Sequence, residues 1–208
     1  MLNASVMSVV FSVVLVLGIM YSIILHEIAH GWVARLWGDG TAMEMKRLSL
    51  NPLYHIDPLG TILVPILLYL STGTAFGWAK PVPVNPRRFR NWRMGNLTVS
   101  LAGVLTNILI GTGLAVVGYW ARFEVVYQLM FANFFLAFFN LLPIPPLDGF
   151  RVVMSLFPRA WQEAVEPYLF PIGIVVMVVL INTPVFSIVW SKVVAVLAKG
   201  LVVFYGMK

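Results

Sequence analysis

The sequence predicts an all-α, polytopic membrane protein, and three observations carry that prediction. Hydrophobic residues make up 60% of the 208 positions and charged residues only 11%, whereas soluble domains average roughly 45–50% apolar and 25% charged. Several apolar runs approach the roughly 20 residues that a helix needs to cross a bilayer. The basic residues gather in the loops between those runs, which is the pattern the positive-inside bias produces. The predicted architecture is a single domain over residues 1–208. It holds about five transmembrane helices, a re-entrant segment and a short membrane-associated β-hairpin or extended strand.

Charge and cysteine content exclude several classes. The net charge of +6 has a topological explanation, and no aromatic–basic module accompanies it. Nucleic acid is therefore not an expected partner, and the lipid bilayer is. The chain has no cysteine, which excludes disulfides, iron–sulfur clusters and thiol catalysis and leaves His, Asp and Glu as the strong metal ligands. The first apolar run lacks a basic leading region and a small-residue cleavage site. It leads directly into His26, so it reads as a retained span rather than a signal peptide.

The elements follow in order. Span A covers residues 5–36 and ends at Gly38-Asp39-Gly40, where glycine stops a helix. Residues 39–58 are polar and punctuated. Residues 59–70 are apolar but contain Pro65 and are short for a span. The loops on both sides are basic, with Arg35, Lys46 and Arg47 before and Lys80, Arg87, Arg88, Arg90 and Arg93 after. Both loops prefer the cytoplasmic side, so the run between them is predicted to dip in and return. Residues 77–86, with Pro81, Pro83 and Pro86, cannot be a helix interior. They read as an extended edge strand in which prolines blank one edge and Val82 and Val84 keep donors on the other, or as a plain extended loop. Span B (97–120) is rich in glycine, which allows close helix contact in lipid. Span C (125–142) runs into Pro143-Ile144-Pro145-Pro146, a break tolerated at membrane depth only where protein or water satisfies the backbone. Spans D (168–181) and E (185–204) complete the chain.

The chemistry starts at His26-Glu27-Ile28-Ala29-His30, near the end of span A. Histidines four residues apart lie one above the other on a helix. Neutral imidazoles at that spacing hold one zinc ion, with Glu27 close to a metal-bound water. A catalytic zinc takes three protein ligands and keeps one position open. With three histidines and eight acidic residues in the chain, the candidates for the third are His55, Asp57, Asp148 and, with less reason, Glu44. Asp148 sits in the proline-broken stretch after an apolar span, where an ionised carboxylate is costly unless a cation offsets it. A helix cap at the turn beginning near Gly149 explains the same residue, and on residue logic both readings stand.

His26-Glu27-x-x-His30 in an apolar span, followed by Asn140-Leu-Leu-Pro-Ile-Pro-Pro-Leu-Asp148-Gly149, resembles the site-2 protease family of intramembrane zinc metalloproteases. Ala102-Gly103-x-x-x-Asn107 and the 77–86 stretch resemble its small members, which lack PDZ and CBS domains. The likeness covers residues 20–155, with Val104 standing where the family usually has proline. It implies that His26, His30 and Asp148 bind one Zn2+ per chain and that Glu27 is the general base. It also implies a three-helix core of spans A, B and C (about 5–155) followed by C-terminal helices (about 160–205). The active site would open to the cytoplasmic side of the plasma membrane, with a transmembrane protein or peptide as substrate.

On that reading Glu27 takes a proton from the attacking water and passes it to the leaving amine. Asn140 is a candidate donor to the oxyanion, or interhelical glue as Asn107 and Asn133 are. An unwound substrate could add as a strand beside Val82 and Val84. His55 and Asp57 read as a solvated loop starting the re-entrant helix, or His55 as a gate. A zinc-binding pseudoprotease that holds membrane clients is the alternative function. A metal transporter is disfavoured, because span B offers almost no polar group beyond Asn107.

Overall fold

The computed structural model describes residues 4–73 and 77–181, with single positions between 183 and 199. Helix α1 (Ala4–Leu36) is a single 33-residue rod, about 50 Å long, because no proline interrupts its apolar run. Ser8, Ser12 and Ser22 turn their hydroxyls back onto carbonyls of Ser5, Ser8 and Gly18, which satisfies polar groups in an apolar helix. The rod ends where Gly38 adopts φ +106°, a backbone state open to glycine. The amides of Gly38 and Asp39 then bond back to Arg35 and Ala34. Residues 5–20 of α1 are exposed or half-buried, whereas Ser22, Ile24, His26, Ile28, His30 and Ala34 are buried. The motif therefore lies in the half of α1 that packs against the rest of the chain.

Helices α4 (Trp92–Ala121) and α5 (Glu124–Asn140) pack with α1 as a three-helix core, α4 touching both neighbours. The short α2 (Thr41–Glu44) follows α1, and α6 (Asp148–Met154) packs on α4. Helix α7 (Arg159–Ile181) carries Pro167 and Pro171 inside it. Most of span E falls on residues that lie outside the described ones.

The run after Pro58 forms a π-helical turn (Pro58–Leu63) that continues as α3 (Val64–Thr72). Asp57 caps it by accepting from the amides of Leu59 and Gly60. The chain beyond α3 returns to the start of this run. Trp78 donates to Gly60 O (3.0 Å) and Lys80 to His55 O (2.9 Å), and the Thr61 hydroxyl donates to Trp78 O (2.9 Å). The two ends of the segment thus meet.

Two expectations need correction or coarsening. Among the described residues there is no β-strand and so no β-hairpin. Residues 77–85 run extended, but their groups are taken by loops and side chains rather than a partner strand. Arg47 donates to the carbonyls of Lys80 (3.0 Å) and Pro81 (3.2 Å), Val82 donates to Glu27 and Asn85 to Asp39. Prolines 81 and 83 have removed the donors a ladder needs. Of the five expected spans, two helices among the described residues, Ser5–Leu36 and Trp92–Ala121, are long and apolar enough to cross a membrane. Helix α5 has 17 residues, short of a full span, and the first turns of α7 carry Glu163 and Glu166.

Candidate metal centre and active site

Three buried acceptor atoms converge where α1, α4 and α6 meet. His26 Nε2 and His30 Nε2 are 3.1 Å apart. Asp148 Oδ2 lies 3.1 Å from the first and 3.3 Å from the second. Ligands about 2.0–2.1 Å from a tetrahedral zinc are about 3.3 Å from one another, so the triangle has the size of one face of such a shell. The ligand-type atoms of His26, Glu27 and His30 also lie within 4.8 Å of one another.

The hydrogen bonds decide what these atoms are. His30 Nδ1 lies 2.7 Å from Val99 O, a carbonyl that can only accept, so Nδ1 donates and in the neutral ring that metal binding requires Nε2 presents a lone pair. His26 Nδ1 lies 2.6 Å from Asn107 Oδ1, the same arrangement with an amide oxygen. Asp148 Oδ2 is buried and has no hydrogen-bond donor. Three lone pairs facing one another in a buried site are repulsive, and a divalent cation resolves the conflict. The donor set, two imidazoles and one carboxylate, suits zinc. Asp148 is not a helix cap. The N-cap position belongs to Leu147, and no side chain caps α6.

Helix α4 supplies the backing. Val99, Gly103 and Asn107 fall at four-residue steps, one stripe along the helix. The two outer residues anchor His30 and His26, and the glycine leaves room between them. A Cβ at Gly103 would sit 2.5 Å from His26 Cε1 and Nε2 and 2.6 Å from His30 Nε2. Beyond Asn107, its amide donates to Asn133 Oδ1 (3.0 Å). The Asn133 amide donates to Ser22 Oγ (3.0 Å) and Leu129 O (2.8 Å).

Glu27 faces residues 77–85, where its Oε2 accepts from the Val82 amide at 2.8 Å. The edge donor expected to be open is therefore committed to the carboxylate expected to act as base. Asn140, at the end of α5, donates to Leu136 O of its own helix (2.9 Å) and makes no hydrogen bond to the triad. His55 is buried against Ser49 O (2.8 Å), and Asp57 caps the turn after Pro58. Neither joins the metal-type cluster. Glu44 is exposed and pairs with Arg88 (2.8 Å). Sequence reasoning missed the roles of Val99 and Val82 and the link from the Asn107–Asn133 pair to His26. Only the four-residue stepping of 99, 103 and 107 offered a signal.

Comparison with known proteins agrees with this geometry. A family model described as Peptidase family M50 matches residues 119–180, the part that carries Asp148. The protein named "Putative zinc metalloprotease YwhC" of Bacillus subtilis is 38% identical over 196 residues, covering 84% of this chain and 83% of that protein. "Putative zinc metalloprotease Rip2" of Mycolicibacterium smegmatis is 29% identical over 182 residues, 83% of this chain and 68% of that one. "Zinc metalloprotease MJ0392" of Methanocaldococcus jannaschii is 23% identical over 157 residues, which span 37% of it. No solved structure matches. With the likeness to YwhC extending over most of both chains, this protein belongs to peptidase family M50, the site-2 proteases, and is a zinc metalloprotease.

Proposed function

We infer that this metalloprotease hydrolyses peptide bonds within or near transmembrane segments of other proteins, using one zinc held by His26, His30 and Asp148. The observation that carries this reading is the convergence of buried His26 and His30, on a helix apolar enough to span a membrane, with the unpartnered Asp148 Oδ2. His30 lies six residues before the end of α1 and His26 ten, roughly 9–15 Å along the helix. That is within the apolar layer but near one face. The basic loops flanking residues 58–72 argue that this face is cytoplasmic, and the membrane in this reading is the plasma membrane. Spans A to E would make the protein multi-pass.

Bound to these three side chains, zinc supplies a Lewis acid and brings water toward ionisation at neutral pH. The chain's own groups do the rest. Glu27 accepts the proton of the attacking water and delivers it to the leaving amine. The Val82 amide orients the Glu27 carboxylate through Oε2, which leaves Oε1 for that proton. Asn140 keeps a second amide hydrogen, and this is the group we assign to the developing oxyanion.

A transmembrane substrate must unwind before its carbonyl can be attacked, and its freed groups need partners. Residues 77–85 offer extended backbone beside the site. Strand addition there would use the edge beside Val84, with the Val82 amide staying on Glu27. The test is reconstitution with single-span peptides in lipid vesicles, followed by mass analysis of the products. Cleavage inside the apolar segment supports the reading. Cleavage confined to soluble, unstructured peptides would refute the intramembrane part of it.

A further inference from the structure

A buried polar chain links the metal-type cluster to α5, which supplies none of its three ligand atoms. His26 and Ser22 lie one turn apart on α1. Asn107 on α4 and Asn133 on α5 complete a loop between them, and both asparagines are fully buried. The order of contacts is His26 Nδ1 to Asn107, Asn107 to Asn133, Asn133 to Ser22 and Leu129 O, and Ser22 to Gly18 O. Each asparagine could be turned end for end without changing its shape, so what sets the direction of the chain is chemical.

The Leu129 carbonyl sets it. It is a main-chain oxygen, accepts only, and lies 2.8 Å from the terminal amide of Asn133. Turning Asn133 over would set two oxygens against each other in a buried site. Asn133 therefore presents its nitrogen to Leu129 and its Oδ1 to Asn107. Asn107 must answer with its nitrogen, which leaves its own Oδ1 facing His26. A bare oxygen at 2.6 Å requires a proton on His26 Nδ1, and the lone pair is then on Nε2, the atom 3.1 Å from Asp148.

We propose that Asn133 and Asn107 are positioning residues: a one-way hydrogen-bond relay that starts at the Leu129 carbonyl and holds His26 as the tautomer whose Nε2 is free to bind metal. His30 needs no relay, because Val99 O acts on it directly. The proposal rests on the reading that His26 is a zinc ligand. It adds that a residue on α5, with no contact to any ligand, contributes to metal affinity.

Outer partners of metal-bound histidines typically change affinity about 10–100-fold when removed. The test uses the full chain in detergent micelles, with zinc affinity read by competition against a chromophoric chelator and helix content checked by circular dichroism. Asn107→Leu should weaken zinc binding by about 10–100-fold. Asn133→Leu should weaken it by no more than that. Because Asn133 acts through Asn107, adding Asn133→Leu to Asn107→Leu should cost nothing further. Wild-type affinity in both single variants would overturn the relay, and so would fully additive losses.

A second measurement needs no variant. Nitrogen-15 spectra of histidine-labelled, zinc-loaded wild type should show His26 protonated on Nδ1, and His26 bound through Nδ1 would overturn the proposal. His26→Ala separates the two readings. If it retains wild-type zinc affinity, the zinc assignment itself fails. If it loses zinc while both asparagine variants keep it, only the relay fails.

Discussion

Gly103→Ala is the sharpest perturbation of the site, because the structure fixes both the intrusion and the absence of an escape. The added methyl would stand 2.5 Å from His26 Cε1 and Nε2 and 2.6 Å from His30 Nε2. Carbon atoms sit comfortably at about 3.5–4.0 Å, so α4 or both imidazoles must retreat by about 1 Å. The imidazoles are tied by Nδ1 to Asn107 and Val99, which lie one turn either side of position 103 on the same helix. Moving the rings away breaks those bonds, and moving α4 away carries the anchors with it. Metal ligands tolerate about 0.2 Å, several times less than the displacement required. Overpacking of this kind costs about 1–3 kcal/mol. If that falls on the metal-bound state, zinc affinity drops about 5–150-fold at 25 °C. The assay is zinc titration of purified protein beside cleavage of a single-span peptide. Wild-type affinity with wild-type turnover would refute the packing argument.

Other outcomes follow from the same contacts. Val82→Pro removes the amide that Glu27 Oε2 accepts, so turnover should fall while zinc content stays normal; unchanged cleavage would count against any role for this segment. Asp148→Ala should lose zinc, because it takes away one of three convergent ligands, and a variant that retains one tightly bound zinc would disprove the assignment. Glu44→Gln should alter neither zinc content nor cleavage, since Glu44 is paired with Arg88 on the exposed surface and such pairs contribute little. Chelation should abolish cleavage, with added zinc restoring it; activity that survives full metal depletion would contradict the metalloprotease chemistry.

What could be read in the sequence divides along physical lines. Local signals worked. The apolar run of α1, its stop at Gly38 and the histidines one turn apart depend on neighbours in sequence, and the structure reproduces them. The basic loops on both sides of residues 58–72 suggested a dip and return, and the structure brings the two ends of that segment together. Asp148 was half legible: its cost in an apolar setting marked it, but ligand and cap stayed open until the resemblance favoured the ligand.

The misses are contacts across long separations. Val82 meets Glu27 across 55 residues and Asn107 meets His26 across 81. Val99 acts through its carbonyl, which every residue possesses. The extended segment was read either as an edge strand, because alternating proline and valine marks one, or as a plain extended loop. Sequence could not show that Arg47, Asp39 and Glu27 would occupy its hydrogen-bonding groups instead. Asn107 and Asn133 read as interhelical glue, a description the structure sharpens by giving the chain of bonds a direction.

In the proposed chemistry Glu27 acts as base beside a zinc held by His26, His30 and Asp148. Glu27→Gln tests it most directly, because the change is isosteric and keeps an oxygen able to accept from Val82. Zinc analysis and peptide cleavage should be measured on wild type and variant in parallel. The expected result is about one zinc per chain in both, with cleavage in the wild type and a loss of about 10²–10⁴-fold in the variant. Equal cleavage by the two proteins, each with its zinc in place, would contradict the claim.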